Sequence, residues 1–300
     1  MSNEVVVSES KVIDGKKIAQ GLKHCLKHKV SELKKQTNQD IKLSVILVGE
    51  DSASKIYVGH KQKSCEEVGI KSEVHVLPST ASIKEISGLI LKLGEDKSVH
   101  GVLLQLPLPG GQDPSSLLLQ IPPMKDVDGL HPFNLGMLMA GTPNMVPCTP
   151  YGILRALQSL GVNLKSKKAL VIGRSRLVGK PIATILLNQD CTVTQAHSKT
   201  PQDELVRLVQ ESDIVVAAIG KANFVKGEWI KEGAIVIDVG MNRDENGKLV
   251  GDVEFQAALN KASAITPVPG GVGQLTVAHL LTNTVKAFEM QCFGYTSIEL

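Results

Sequence analysis

The sequence predicts an α/β fold made of two domains, each built on parallel strands. Three observations carry that expectation. The 300 residues are about twice the ~150-residue length prior for one domain. Apolar runs rich in Val, Ile and Leu alternate with amphipathic segments along most of the chain, as buried strands joined by helical crossovers do. Hydrophobic residues make up 42% and charged residues 21%, a globular composition rather than a disordered one.

Taken in order, Gly15 to Lys35 reads as a first helix and Leu43 to Val48 as a strand. Ser52 to Val68 follows as a helix and Glu73 to Leu77 as a strand. Ser82 and Glu85 stand at capping-box spacing before the next helix. Val99 to Leu106 is a third strand, closed by Pro107 and Pro109, which completes a βαβαβ unit. From Pro107 to Pro150 the chain is proline-rich and loop-like. Pro147-Cys148-Thr149-Pro150 reads as the domain boundary, with Thr149 as N-cap and Pro150 at the first helical position. The second series starts at Lys168 to Ile172. It continues with strands at Thr192 to Ala196, Asp213 to Ile219, Ala234 to Asp238 and Ala264 to Thr266, and with a last helix over about Leu275 to Met290.

Composition excludes several function classes. A net charge of +3 is too small to argue for nucleic acid or an anionic membrane surface. Five cysteines (25, 65, 148, 191, 292) form no CxxC pair and leave one over under any pairing, against a disulfide framework or a zinc ribbon. No apolar run approaches the ~18 residues of a membrane span. Met1-Ser2-Asn3-Glu4 lacks the charged and apolar regions of a secretory leader. These readings predict a soluble, cytoplasmic protein. His100, His131 and His197 lack metal-ligand spacing, so they read as structural and no metal is expected. Cys148 has no base near it in sequence, so a nucleophilic role has little support.

In the second domain, the turn after the first strand reads Gly173-Arg174-Ser175-Arg176-Leu177-Val178-Gly179-Lys180-Pro181. A glycine there lets backbone N–H groups and a helix N-terminus face a phosphate; an ordinary strand-to-helix turn explains the same spacing. An unmodified ribose calls for a carboxylate about 20 residues on. The second strand ends instead in Ala196-His197-Ser198-Lys199-Thr200. With Arg174, Ser198 and Lys199 nearby, a 2′-phosphate suits the site, favouring NADP over NAD; solvated surface charge is the alternative for Arg176 and Lys199. Asp238-Val239-Gly240-Met241-Asn242 ends another strand, and Pro267 to Gly273 forms a Gly/Pro-rich loop that permits close backbone approach to a ligand.

In the first domain, Tyr57 and Lys61 lie four apart, on one helical face. A ring beside an amine can stack on a planar substrate while the amine moves protons; a plain exposed pair is the commoner explanation of the same spacing. Gln105 closes an apolar strand and could hold the Lys61 amine. Asp126 and Asp128, in Lys125-Asp-Val-Asp-Gly129, either cap a turn or accept two hydrogen bonds from an amino-pyrimidinone edge.

Seven motifs in one order then carry a resemblance: Tyr57-x-x-x-Lys61, Gln105-Leu-Pro-Leu-Pro109, Lys125-Asp-Val-Asp-Gly129, Pro147-Cys-Thr-Pro150, Gly173-Arg-Ser-x-x-Val-Gly179, His197-Ser198 and Pro267-Val-Pro-Gly-Gly-Val-Gly273. Over nearly its whole length the chain resembles the bifunctional methylenetetrahydrofolate dehydrogenase/methenyltetrahydrofolate cyclohydrolase family. The resemblance implies a Rossmann-like doubly wound sheet over 149–275 that binds NADP. It implies a folate-binding catalytic domain over 1–148 with the C-terminal helix, 276–300, packed back on it. It also implies an active site in the cleft between domains, and a homodimer. Tyr57 would stack on the folate, Lys61 would be the catalytic lysine, Gln105 would orient it and Asp128 would bind the pterin. Gly173, Arg174, Ser175, Ser198 and Met241 would contact NADP, while the Pro269-Gly270-Gly271 backbone would close over the folate. The chain departs from the family at Gln274, where proline is usual, and at Met241, often isoleucine.

The implied reaction oxidises 5,10-methylenetetrahydrofolate with NADP, then hydrolyses the methenyl compound to 10-formyltetrahydrofolate. Two rivals remain at this point. One is a monofunctional dehydrogenase of the family, disfavoured by Lys61 and Gln105. The other is a non-catalytic NADP-binding sensor, which predicts tolerance of change at Tyr57, Lys61 and Asp128.

Overall fold

The computed structural model describes residues 11–294 and Leu300. Met1 to Glu4 and part of the expected 276–300 segment lie outside the described residues. In chain order the elements are α1 (Gly15–Thr37), β1 (Lys42–Val48), α2 (Ser52–Val68), β2 (Lys71–Leu77), α3 (Ile83–Glu95), β3 (Gly101–Leu104), α4 (Ser115–Leu118), α5 (Pro132–Met139) and α6 (Cys148–Gln158). They continue with β4 (Lys168–Ile172), α7 (Gly179–Asn188), β5 (Thr192–Ala196), α8 (Gln202–Glu211), β6 (Ile214–Ala217), β7 (Ile235–Asp238), β8 (Asn242–Arg243), β9 (Leu249–Val250), α9 (Phe255–Lys261), β10 (Ala264–Ile265) and α10 (Val272–Phe293). The expected α/β class with parallel strands is what the chain adopts.

By internal contacts the described residues form two units. One holds residues 20–148 and those of α10 from Val277 onward; the other holds residues 11–19, Thr149–Thr276 and Leu300. Residues 11–19 join the second of these through Ile13 N to Ile265 O (2.8 Å) and Ile265 N to Lys11 O (2.8 Å).

In the 20–148 unit, three parallel strands lie in the order β2-β1-β3. Side chains alternate across a strand, so β1 feeds two cores. Leu43, Val45 and Leu47 pack with Leu26, Val30, Val58, Leu281 and Phe288. Ile46 and Val48 pack instead with Ile86, Ile90, Leu93 and Leu117. Two-sided burial explains why β1 reads as a continuous apolar run rather than an alternating one. The predicted capping box forms: Ser82 N donates to Glu85 Oε2 (2.7 Å) and Glu85 N to Ser82 Oγ (3.2 Å). Helix α2 is capped by Asp51, whose Oδ2 accepts from Ser54 N at 2.8 Å, and ends at Gly69, φ +84°.

The 149–276 unit carries five parallel strands in the order β10-β7-β6-β4-β5. The first strand of the series, β4, sits between β5 and β6, so successive crossovers run in opposite directions from it. That is a doubly wound sheet whose switch point lies between β4 and β6. Leu170, Ile172, Val215, Ala217 and Val236 pack on one face with Leu205, Val209 and Ala258 of α8 and α9.

One local expectation fails. Thr149 does not act as an N-cap, because α6 already includes Cys148, and Thr149 Oγ1 instead pairs with Thr276 Oγ1 at 3.0 Å. A side-chain partner 127 residues away outcompetes the local capping bond, and spacing could not reveal it. Strand β3 is also shorter than the expected Val99 to Leu106, although His100 N and Gln105 N still donate to Lys42 O and Ile46 O at 2.9 Å.

Helix α10 buries residues all round, including Leu280, Leu281, Val285, Phe288 and Met290, as a helix inside a core must. Phe288 is fully buried and meets the His100 ring edge-on at 4.7 Å. Phe288→Ala is expected to destabilise the protein by about 3–5 kcal/mol, read as a lowered urea midpoint; an unchanged midpoint would contradict this packing.

Candidate active site

The first group of predicted residues assembles at the carboxyl ends of β1 and β3. Helix α2 follows β1 directly and carries Tyr57 and Lys61 one turn apart. Lys61 Nζ donates to Gln105 Oε1 at 2.9 Å. Gln105 is fixed in turn, since its Nε2 donates to Leu106 O at 2.7 Å and its backbone N to Ile46 O. With its NH2 end occupied, the amide presents its oxygen to the amine. Tyr57 is 37% exposed, enough to offer a ring face, and partial burial raises its phenol above 10.0.

The Lys125 to Gly129 segment lies beside β3, where Val102 N donates to Lys125 O at 2.8 Å. Here the structure separates two carboxylates that residue spacing alone left equivalent. Asp126 is 1% exposed and accepts from His131 N and Asn134 Nδ2, both at 2.8 Å, so it holds the turn. Asp128 is only partly covered. Burial raises its carboxyl, while the Lys61 charge and the Cys148 thiol pull it down. A partly covered carboxylate within reach of the Lys61 charge is suited to receive donors from a ligand. Cys148 is buried beside it with its thiol pushed well up, first by burial and then by the Asp128 charge, the opposite of an activated nucleophile.

The second group lies in the other unit. Strands β4 and β5 pair with Ile172 opposite Ala196, so the turns that follow leave the sheet at the same level. One turn carries Gly173, Arg174 and Ser175; the other carries Ser198 and Lys199. Gly173 has φ +128°, and a Cβ on it would meet Ala218 O at 2.2 Å. A Cβ on Gly179 would meet Gly173 O at 2.3 Å. Gly173 therefore lets the turn lie against the end of β6, and Gly179 lets the start of α7 seat tightly on that turn. Ser175 Oγ accepts from Val178 N (3.1 Å) and Gly179 N (3.3 Å). Those two helix-end donors are already engaged, which leaves the exposed Arg174, Ser198 and Lys199 side chains to meet a phosphate. Ser198 is framed by a closed turn: Thr200 N donates to His197 O, and Lys199 N to His197 Nδ1. This donor set, cationic and hydroxylic with no carboxylate at the β5 end, fits an NADP 2′-phosphate.

Met241 is 53% exposed after β7. Pro269 is exposed, Gly270 has φ +106°, and a Cβ on Gly15 would meet Gly271 O at 2.2 Å, so the Pro269-Gly270-Gly271 loop rests on the start of α1. Gln274 N donates to Gly271 O at 3.2 Å. His100 and His131 are structural: His100 Nδ1 accepts from Lys42 N and His131 Nδ1 from Phe133 N.

Sequence reading missed a pair of buried carboxylates behind this second group. Asp252, fully buried, accepts from Ile219 N, Gly220 N, Lys221 N and Asn242 Nδ2 at 2.7–3.1 Å. Asp238 accepts from Gly240 N, Asp252 N and Val253 N at 2.8–2.9 Å. Together they pin the loops leaving β6 and β7. The available signal was an acid flanked by apolar residues, as in Val250-Gly251-Asp252-Val253.

A lysine–glutamine–carboxylate group in one unit and a doubly wound sheet with basic strand ends in the other define the class, an α/β enzyme of nucleotide-binding architecture. Residues 13–128 match the catalytic domain of tetrahydrofolate dehydrogenase/cyclohydrolase, and residues 147–292 match its NAD(P)-binding domain. The chain belongs to the tetrahydrofolate dehydrogenase/cyclohydrolase family. It is 52% identical over 275 residues to the bifunctional protein FolD of Magnetococcus marinus, covering 92% of this chain and 96% of that protein. The bifunctional FolD structure from Campylobacter jejuni matches with a TM-score of 0.89 and 45% identity, over 92% of this chain and 97% of that one. The Trypanosoma brucei FolD, solved with NADP cofactor and an inhibitor, matches with a TM-score of 0.91 and 39% identity, over 95% and 99%.

Burial raises the Asp238 carboxyl from 3.8 to about 6, with its three N–H donors pulling the other way. The folded state thus holds this proton more tightly than the unfolded chain. The associated stability is present below about pH 4 and lost as pH rises through 6, about 3 kcal/mol in all. Urea unfolding from pH 4 to 7 should show the wild type losing up to that amount relative to Asp238→Asn; a pH-independent difference contradicts it.

Proposed function

We propose that the protein oxidises 5,10-methylenetetrahydrofolate to the 5,10-methenyl compound with NADP and then hydrolyses that product to 10-formyltetrahydrofolate. The observation that carries this reading is the 2.9 Å bond from Lys61 Nζ to Gln105 Oε1 beside Asp128, in a chain of this family.

NADP, when bound, supplies the hydride acceptor. Arg174, Ser175, Ser198 and the Gly173 turn bind it, and Met241 flanks it. Tyr57 gives the pteridine a flat partner, which aligns the reacting carbon. Asp128 accepts hydrogen bonds from the pterin's donor edge and so fixes its orientation. The hydrolytic step adds water to the methenyl carbon, opens the ring and requires a proton to be moved. Lys61 is the amine placed for that work, and Gln105 holds its Nζ in one direction. Pro269, Gly270 and Gly271 offer backbone rather than side chains, as close cover for a flat ligand requires.

In this reading residues 1–148 with 276–300 serve the folate and 149–275 serve NADP, although residues 11–19 pack with the 149–276 unit. Homodimer assembly and a cytoplasmic location are part of the proposal. In support of assembly, β2 is an edge strand with Val76 60% exposed. Among the described residues no helix is long and apolar enough to cross a membrane.

Two substitutions test the assignments. Lys61→Met should abolish cyclohydrolase activity at every pH, measured as methenyl disappearance; an unchanged hydrolysis rate overturns the role. Arg174→Ala should weaken NADP by about 2 kcal/mol, roughly 30-fold, with far less effect on NAD. Equal losses for both cofactors would refute the 2′-phosphate contact.

A further inference from the structure

Asn283 is a fully buried polar residue in the apolar helix α10. Its Nδ2 donates to two carbonyls distant in sequence, Val127 O at 2.8 Å and Val146 O at 2.9 Å. The same nitrogen lies 3.6 Å from Cys148 Sγ, and Cys148 Sγ lies 3.3 Å from Val127 O. Val127 immediately precedes Asp128, and Val146 precedes Pro147-Cys148. One side-chain amide therefore ties together the two segments that flank the candidate pterin carboxylate.

These segments touch without space to spare. Gly129 has φ +74°, and a Cβ there would fall 2.6 Å from Pro147 N and 2.8 Å from Val146 O. Two buried carbonyl dipoles converging on one point repel each other unless a donor stands between them. The two carbonyls require the NH2 end of Asn283 on their side, which turns Oδ1 away. Oδ1 is buried with no hydrogen-bond partner among the described residues. Packing alone would be served by leucine, of similar size and with no unmet acceptor. What the asparagine adds is the double donor.

We propose that Asn283 is a positioning residue for folate binding, acting through the Val127–Asp128 peptide. The carbonyl it holds belongs to the same rigid peptide plane as the Asp128 N–H. Fixing that plane fixes the Asp128 Cα and the direction in which its carboxylate leaves the chain. Lys125 O, bonded to Val102 N, anchors the segment on the other side, so Asn283 completes a two-point hold. The inference rests on the reading of Asp128 as the pterin-binding group.

The test is steady-state kinetics of the dehydrogenase reaction for Asn283→Leu and Asn283→Ser in wild-type and Asp128→Asn backgrounds. Asn283→Ser leaves room for water between the carbonyls and serves if the leucine variant does not fold. The expected result is a rise of about tenfold in KM for methylenetetrahydrofolate, with KM for NADP changed less than about twofold. In the Asp128→Asn background the same substitution should add less than about twofold, because coupled residues do not act additively. A lowered melting temperature with an unchanged folate KM marks a merely structural residue and overturns the proposal, as does full additivity. If Asp128→Asn alone leaves the folate KM unchanged, the reading of Asp128 fails first and this inference falls with it. If Asp128→Asn raises that KM and the Asn283 variants do not, this inference alone fails.

Discussion

Parallel strand order is the constraint from which the rest of the structure follows. Every strand of the three-stranded and five-stranded sheets runs parallel to its neighbours, so each connection must cross back over a face of its sheet. Both faces are thereby covered, and β1 is consumed entirely by two cores. The candidate site residues are left to the carboxyl ends, on α2 and on the connecting loops. Lys61 reaches Gln105 because α2 follows β1 and Gln105 ends β3, adjacent strands of one sheet. Arg174 and Ser198 leave their sheet at one level because β4 and β5 pair with Ile172 opposite Ala196.

Loops carrying function need fastening, and buried polar side chains supply it. Asp126 fastens the 126–134 turn, Asn283 the 127 and 146 carbonyls, Asp252 the loop after β6 and Asp238 the loop after β7. Each of these groups is nearly or fully buried, where an unpaired polar atom is expensive. The cost becomes positional accuracy, since a buried donor or acceptor permits only a narrow range of partner positions. Glycine does the complementary work at Gly129, Gly173 and Gly179, where any side chain would force apart segments that must touch.

Electrostatics divides the acidic residues the same way. Asp126 spends its lone pairs on protein donors and is closed to ligands. Asp128, partly covered and within reach of the Lys61 charge, is the less enclosed of the two. Cys148, between these groups and Asn283, is held as a thiol first by its burial and then by the neighbouring negative charge. Its place at a domain boundary motif is a packing role, consistent with the absence of a base near it in sequence.

The sequence by itself determined the α/β class, the parallel strands, the capping box at Ser82 and the family, because apolar periodicity, cap spacing and ordered motifs are local signals. It also named Lys61 by its spacing from Tyr57, Gln105 as an amide closing an apolar strand, and Asp128 through the family resemblance alone. Only the tertiary structure decided that Lys61 bonds Gln105, that Asp126 is enclosed by His131 N and Asn134 Nδ2, and that Thr149 turns to Thr276 instead of capping α6. Asn283, Asp238 and Asp252 were illegible for the same reason. Their partners lie up to 156 residues away, and a hydrogen bond across that separation leaves no spacing in the chain to be read.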